Sequence, residues 1–83
     1  MPYYVYLLEC RDQSYYCGYT RDLEQRVKTH NLGRGGRYTR THLPVKLVYS
    51  ERCPTRLRAM RREREIKTYG REKKQALVAG KKE

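Results

Sequence analysis

Two short tyrosine-rich runs near the start of the chain constrain its fold more than any other feature. Residues 3–10 (YYVYLLEC) and 15–19 (YYCGY) are rich in β-branched and aromatic side chains, and residues 11–14 (RDQS) between them are polar. Two such runs joined by a short polar segment are typical of a β-hairpin. Because side chains alternate along a strand, the first run has two faces. One carries Tyr4, Tyr6, Leu8 and Cys10, and the other carries Tyr3, Val5, Leu7 and Glu9.

The length of the turn decides which tyrosines share a face. A two-residue loop would place Tyr6 and Tyr16 on opposite faces of the hairpin. A three-residue loop would pair Cys10 with Ser14 and place both tyrosines on the same face. The longer loop needs a left-handed residue at Gln13, a conformation that glycine adopts more easily. We predict the three-residue loop.

The rest of the chain contains one more strand and several helices. In order, we predict a helix from the N-cap Thr20 to about residue 31, a loop at 33–44, a strand at 46–50, and helices at 55–69 and 71–79. Residues 79–83 are expected to fray. The fold class is therefore α+β, with a small three-stranded antiparallel sheet and about three helices packed on it. Residues 1–83 are expected to form one domain.

The charge of the chain indicates a polyanionic partner. It has 20 lysine and arginine residues against 9 acidic residues, a net charge of +11. A charge of this size on a small domain favours salt-dependent binding to nucleic acid. Ribosome association, heparin-like adhesion and simple solubility are the alternatives.

The cysteines and the start of the chain indicate the compartment. Three cysteines without a CxxC spacing are expected to be small buried thiols in a reducing environment, with no disulfide framework and no zinc site. The initial apolar run has no basic segment before it and is too short to span a bilayer. We expect a cytoplasmic protein with no membrane partner.

Several motifs occur in a fixed order along the chain. They are Tyr4-Val5-Tyr6, Tyr16-Cys17-Gly18, Arg26 followed by His30, Ala59 followed by Glu63, and Ile66-Lys67. In a chain of this length they resemble the GIY-YIG nuclease superfamily, most closely its small stand-alone bacterial members. The resemblance covers roughly residues 3–77. Tyr4 replaces the first glycine of the pattern and Cys17 the second isoleucine, and the asparagine that some members carry near the C-terminal end has no counterpart.

The resemblance implies a hydrolytic site built from five residues. Glu63 would bind Mg²⁺, or another divalent cation such as Mn²⁺, and Arg26 would stabilise charge on the pentacovalent phosphorus. Tyr6 would orient or deprotonate the attacking water, while His30 would accept a proton from Tyr6 or hold it in place. Tyr16 would hydrogen-bond the phosphate or the water.

The same residues also have structural explanations. Glu63 could form an ion pair with Lys67, and Arg26 with Asp22, because residues four apart are neighbours on a helix. The dipole at a helix C-terminus favours an imidazolium at His30. The two tyrosines could simply pack on the sheet. The residues alone leave these alternatives open.

The glycine-rich segment after the first predicted helix is a candidate nucleic-acid contact. The residues that we expect to bind nucleic acid are Arg34, Arg37, Tyr38, Arg40 and, from the long helix, Lys67. Tyr38 could equally be an anchor that holds the loop on the domain.

The function indicated by the resemblance is a Mg²⁺-dependent endonuclease or nickase. It would act on DNA rather than RNA, could be structure-specific and linked to DNA repair or recombination, and could need a protein partner for specificity. The alternative is a nucleic-acid-binding module with weak or no catalysis on the same scaffold. A third hypothesis is a basic accessory protein of the ribosome or of a repair complex.

Overall fold

The computed structural model describes residues 2–80 of the 83-residue chain. Its antiparallel sheet consists of β1 (Tyr3–Glu9), β2 (Tyr15–Thr20) and β3 (Lys46–Cys53), in the order β2-β1-β3. The helices of this part of the chain are α1 (Leu23–Asn31), α2 (Arg37–Arg40), α3 (Arg56–Lys67) and α4 (Arg71–Gly80). The predicted α+β class and three-stranded antiparallel sheet are confirmed, with one short helix more than expected.

The hairpin between β1 and β2 has the predicted three-residue loop. The amide of Cys10 donates a hydrogen bond to the Ser14 carbonyl at 2.8 Å, and Gln13 has a positive φ of 70°. Tyr6 therefore lies opposite Gly18 in the neighbouring strand. The side chains of Tyr6 and Tyr16 share one face of the sheet, as the sequence predicts.

Both faces of the central strand are covered. On one face Val5 packs in a cluster with Ala59 and Ile66 of α3. On the other face Tyr6 packs in a cluster that includes Val27 of α1. The two helices thus approach the sheet from opposite sides, and the edge strand β2 lies between them.

Helix α1 begins later than predicted. Its N-cap is Asp22, whose carboxylate accepts a hydrogen bond from the Gln25 amide at 3.0 Å. The prediction of Thr20 as N-cap is wrong because β2 continues to Thr20. The Thr20 hydroxyl instead accepts a hydrogen bond from the Asp22 amide at 3.2 Å.

The segment at residues 33–44 is not a loop throughout, because it contains α2. The Arg40 amide donates to the Gly36 carbonyl at 3.0 Å, and the side chain of Thr39 is fully buried. A four-residue helix has no hydrophobic periodicity that a sequence could reveal. Tertiary contacts hold this one in place.

Two other elements extend further than predicted. Strand β3 continues beyond residue 50 because Glu51 and Arg52 pair with β1. Helix α4 continues to Gly80, so residues 79 and 80 are part of the helix. The expectation of a frayed tail at residues 81–83 concerns residues outside the described part of the chain.

The cysteines are buried thiols, as expected. Cys10, Cys17 and Cys53 are all buried and free. Burial is the main cause that raises the pKa of Cys17 to about 12, so this group is a neutral thiol near pH 7. Within residues 2–80, no helix has the length and apolar character needed to cross a membrane.

Candidate active site

The phenol of Tyr6 lies at the centre of the site. Its side chain is 2 % exposed and lies over Gly18, where a Cβ atom would come within 2.5 Å of the Tyr6 oxygen. Glycine at this position therefore lets a side chain of the central strand reach across the edge strand. The phenol lies where α1 and α3, on opposite faces of the sheet, both approach β2.

His30 is the nearest polar neighbour of Tyr6. It occupies the last turn of α1, is fully buried, and places Nε2 3.3 Å from the Tyr6 oxygen. The other ring nitrogen, Nδ1, lies 2.8 Å from the hydroxyl oxygen of Thr39. Burial lowers the pKa of His30 and the charge of Arg26 lowers it further, so the imidazole is neutral near pH 7. The expectation of an imidazolium stabilised by the helix dipole does not fit this environment.

Tyr16 completes the aromatic wall of the site. Its ring centroid lies 5.2 Å from that of His30 in an edge-on arrangement. Its hydroxyl borders Gly36, where a Cβ atom would lie 3.8 Å from the oxygen. Tyr16 is only partly buried, so its hydroxyl can reach a ligand beside the deeper phenol of Tyr6.

Arg26 supplies positive charge to this group. It lies one turn before His30 on α1, and the Asp22 carboxylate caps the helix instead of pairing with it. Among residues 2–80, Arg26 forms no ion pair with a carboxylate. Burial and Tyr16 raise the pKa of Tyr6, and the charge of Arg26 partly opposes that rise. The guanidinium thus has donors available for an anionic ligand.

Glu63 approaches from the opposite face of the sheet. Its backbone carbonyl accepts a weak hydrogen bond from the Cys17 thiol of β2 at 3.9 Å, which places this turn of α3 beside the edge strand. Besides burial, the charge of Glu63 contributes to raising the pKa of Tyr6 and of Cys17. Its side chain is 21 % exposed and lies 3.5 Å from Lys67 Nζ. The ion pair expected from helix spacing therefore exists.

The possible metal ligands of the site suit a hydrated divalent cation. Within the described residues, no group of three or more His, Cys, Asp or Glu side chains could form a closed metal cage. Mg²⁺ commonly binds through one or two carboxylates and keeps several waters, completing its shell with substrate phosphates. The single carboxylate of Glu63 fits that mode of binding.

Three of the predicted nucleic-acid-binding residues lie together. Arg34, Arg37 and Arg40 line a surface pocket of about 260 Å³ with Gly33 and Gly36. Gly36 also borders the Tyr16 hydroxyl, so the arginine pocket adjoins the site. Lys67 lies apart from this pocket, paired with Glu63.

Tyr38 has the contacts of a loop anchor. Its ring stacks on His42 with centroids 4.1 Å apart, and its other neighbour in the stack is Tyr16 at 6.5 Å. Its hydroxyl donates to the Ser14 hydroxyl at 2.6 Å. These contacts favour the anchoring alternative, and a direct contact with nucleic acid stays a prediction.

Two residues of the site were not predicted from the sequence. Thr39 holds the far nitrogen of His30, and Gly35 lies so close that a Cβ atom there would overlap the imidazole. The glycine-rich composition of residues 33–36 was the only signal. It indicated a loop and gave no indication that the loop packs on His30.

The chain is similar to known proteins along nearly its whole length. The family model described as the GIY-YIG catalytic domain matches residues 2–76. A UPF0213 protein of Haloquadratum walsbyi is 56 % identical over 76 residues, covering 92 % of this chain and 85 % of that protein. A UPF0213 protein of Staphylococcus haemolyticus is 49 % identical over 76 residues, covering 92 % of this chain and 93 % of that protein.

Solved structures agree with the fold. The solution NMR structure of a UPF0213 protein from Bacillus halodurans is 47 % identical, with a TM-score of 0.60 over 95 % of this chain and 84 % of that chain. The solution NMR structure of a protein from E. faecalis is 36 % identical, with a TM-score of 0.64 over 100 % of this chain and 90 % of that chain.

Proposed function

Because this chain belongs to the GIY-YIG family, whose domain is a nuclease domain, we propose that it is a metal-dependent endonuclease or nickase acting on DNA. One observation carries the proposal. The Tyr6 phenol lies 3.3 Å from Nε2 of His30, the ring of Tyr16 packs edge-on against that imidazole, and the charges of Arg26 and Glu63 both influence the pKa of the phenol. Groups of these kinds can supply the proton transfer and the charge stabilisation that speed phosphodiester hydrolysis.

Tyr6 and His30 would orient the attacking water or remove a proton from it. Burial raises the pKa of Tyr6, so its phenol stays protonated in the free protein. His30 is neutral and its Nε2 lies 3.3 Å from the phenol oxygen, so it can accept that proton or hold the phenol in place. In either case the Tyr6 oxygen would act on the attacking water, and Tyr16 would hydrogen-bond the water or the phosphate.

Arg26 and Glu63 would act on the charge of the phosphate. The guanidinium would contact non-bridging oxygens and stabilise the charge that develops on phosphorus. Glu63 would hold Mg²⁺, or another divalent cation such as Mn²⁺, with Lys67 free to turn toward the phosphate backbone. When bound, the hydrated cation would polarise the phosphate and neutralise the leaving oxygen.

Binding of the nucleic acid would use charge rather than base contacts. The net charge of +11 and the arginine pocket beside Tyr16 favour recognition of the phosphate backbone. Selection of a target would then rest on DNA structure or on a protein partner. Such an activity would suit a cytoplasmic protein of DNA repair or recombination.

The test is incubation with supercoiled plasmid and with branched or nicked DNA, in Mg²⁺, in Mn²⁺ and in excess chelator. Nicking is expected with either cation, and chelator is expected to abolish it while leaving DNA binding intact. Gel analysis of nicked and linear products measures the rate. Salt-dependent binding without cleavage under every cation condition would contradict the enzyme and support the catalytically weak binding module.

The arginine pocket should contribute directly to affinity. Replacing Arg34, Arg37 and Arg40 together with alanine is expected to weaken duplex binding and to reduce the slope of log K against log salt by up to about 0.9 for each phosphate that is no longer neutralised. Fluorescence anisotropy at several salt concentrations measures that slope. Arg64→Ala, which removes an exposed arginine of α3, is the matched control. An unchanged slope in the triple variant would exclude the pocket from the binding surface.

A further inference from the structure

Three buried polar side chains are linked by hydrogen bonds, starting from the phenol of Tyr6. Tyr6 is 2 % exposed, and His30 and Thr39 are fully buried. The Tyr6 oxygen lies 3.3 Å from His30 Nε2, and His30 Nδ1 lies 2.8 Å from the Thr39 hydroxyl oxygen. The Thr39 hydroxyl in turn lies 3.4 Å from the carbonyl oxygen of Gly36. This series of hydrogen bonds ends at the Gly36 carbonyl oxygen, which can accept a hydrogen bond but cannot donate one.

A neutral imidazole carries one N–H, so only two arrangements of protons are possible. If the proton is on Nδ1, the phenol donates to Nε2, Nδ1–H donates to Thr39, and Thr39 donates to the Gly36 carbonyl. Every O–H and N–H of the three side chains then has an acceptor. If the proton is on Nε2, it donates to the Tyr6 oxygen, and the O–H of Tyr6 needs another acceptor. Thr39 must then donate its O–H to Nδ1 and give up its hydrogen bond to the Gly36 carbonyl. The structure has the Thr39 hydroxyl donating to that carbonyl at 3.4 Å, which favours the form with the proton on Nδ1.

We propose that Thr39 is a positioning residue that holds neutral His30 as its Nδ1–H tautomer, so that Nε2 faces Tyr6 as a hydrogen-bond acceptor. This inference deepens the proposed function and rests on it for its catalytic meaning. Both roles described for His30 need this tautomer, because Nε2 must turn its lone pair toward the phenol either to hold the O–H or to take its proton. Where His30 takes the proton, it passes from the Tyr6 oxygen to Nε2 while the Tyr6 oxygen takes a proton from the attacking water. The resulting hydroxide forms a bond to phosphorus, and the bond from phosphorus to the leaving oxygen breaks.

The local backbone is built to bring Thr39 to the imidazole. Gly35 packs directly on His30, where any side chain would overlap the ring. The short helix α2 then turns Thr39 inward, although the arginine that follows it, Arg40, is exposed. The buried Thr39 hydroxyl has Nδ1 of His30 as its hydrogen-bond partner at 2.8 Å.

The tautomer is measurable without any assay of cleavage. In protein labelled with ¹⁵N-histidine, free of DNA and metal and at about pH 8, above the usual histidine pKa of about 6.5, long-range ¹H–¹⁵N correlation spectra distinguish protonated from unprotonated ring nitrogens. A His42→Gln variant assigns the two histidines. We expect His30 to show a protonated Nδ1 and an unprotonated Nε2. A protonated Nε2 would overturn the proposal.

Two substitutions of Thr39 separate its hydroxyl from its volume. Thr39→Val keeps the shape and removes the hydroxyl, so the His30 spectrum is expected to shift toward the other tautomer. Thr39→Ser keeps the hydroxyl and is expected to preserve the wild-type pattern. An unchanged Nδ1–H tautomer in the valine variant would show that Thr39 does not set it.

A second measurement covers the case in which the valine variant does not fold. Tyr6→Phe removes the donor to Nε2 but leaves Thr39 in place, and it is expected to keep the Nδ1–H tautomer. Loss of that tautomer in Tyr6→Phe would mean that the phenol, and not Thr39, orients the ring.

Nicking rates connect the tautomer to the reaction. Thr39→Val is expected to lose roughly 10- to 100-fold in rate at saturating DNA, with serine restoring most of it, as for other groups that orient a functional histidine. Failure of the wild-type protein to nick DNA would contradict the proposed function, whereas the spectra would still decide the tautomer. If Thr39→Val shifts the tautomer of His30 but still nicks DNA at the wild-type rate, the hydrogen bond between Thr39 and His30 is not needed for catalysis.

Discussion

Replacing Glu63 with glutamine is expected to lower the rate of metal-dependent nicking by at least about 10²–10³-fold, the usual cost of losing an electrostatic group from an active site. The amide has the shape of the carboxylate but carries no charge, and Mg²⁺ prefers charged oxygen ligands. Single-turnover nicking of plasmid under a range of Mg²⁺ concentrations measures the loss. Higher Mg²⁺ should recover part of the rate.

The fold should tolerate this substitution. The ion pair between Glu63 and Lys67 is partly exposed, since the lysine side chain is 53 % accessible. A pair at this spacing contributes only about 0.3–0.5 kcal/mol to the free energy of unfolding. The temperature of thermal unfolding should therefore change by no more than roughly 2–4 °C.

Glu65→Gln is the matched control on the same helix. Glu65 is exposed and hydrogen-bonds to Arg62 and Tyr69, away from Tyr6. Its substitution is expected to leave nicking unchanged at a small cost in stability. If the wild-type protein, Glu63→Gln and Glu65→Gln all nick DNA at the same rate, Glu63 has no role in the reaction.

Replacing Tyr6 with phenylalanine is expected to lower the nicking rate by about 10²–10⁴-fold, the range for removal of a proton-transfer group. The ring still fills the space over Gly18, so the packing of the sheet is preserved. Removing the hydroxyl leaves the buried His30 Nε2 without its hydrogen-bond partner, at a cost of about 1–3 kcal/mol in the free energy of unfolding. Urea unfolding separates this cost from the change in rate.

Tyr49→Phe is the control for the removal of a phenol. The Tyr49 hydroxyl hydrogen-bonds to the Glu51 carboxylate, which also binds Arg62 through two bonds of 2.9 Å. Burial raises the pKa of Tyr49 to about 12, so this group is a structural, neutral phenol. The variant should lose stability by about 0.5–1.5 kcal/mol and keep full activity. If Tyr6→Phe nicks DNA at the wild-type rate, the role proposed for Tyr6 is wrong.

The hairpin shows how much of the fold can be predicted from local sequence. Its register followed from the alternation of residues 3–10 and from the length of the turn at residues 11–14. That register placed Tyr6 and Tyr16 on one face without reference to any tertiary contact. The spacing of Arg26 and His30 likewise followed from the geometry of a helix.

The short helix α2 shows where prediction from sequence fails. Nothing in RYTR, its four residues, distinguishes a helix from a loop, and the segment has no apolar periodicity. Its contacts with the rest of the domain include the hydrogen bond between Thr39 and His30, nine residues apart, and Gly35, just before it, packs closely on the same imidazole. A tertiary contact of this kind outweighs weak local preferences.

The sequence by itself determined the strands, the main helices, the faces on which each side chain projects and the excess of positive charge. Each of these depends on residues that are close together along the chain. Only the tertiary structure decided that the turn of α3 carrying Glu63 packs beside β2 on the face opposite Tyr6, and that Thr39 completes the environment of His30. The physical reason is that burial of both faces of β1 sets these distant contacts, and no local propensity encodes them.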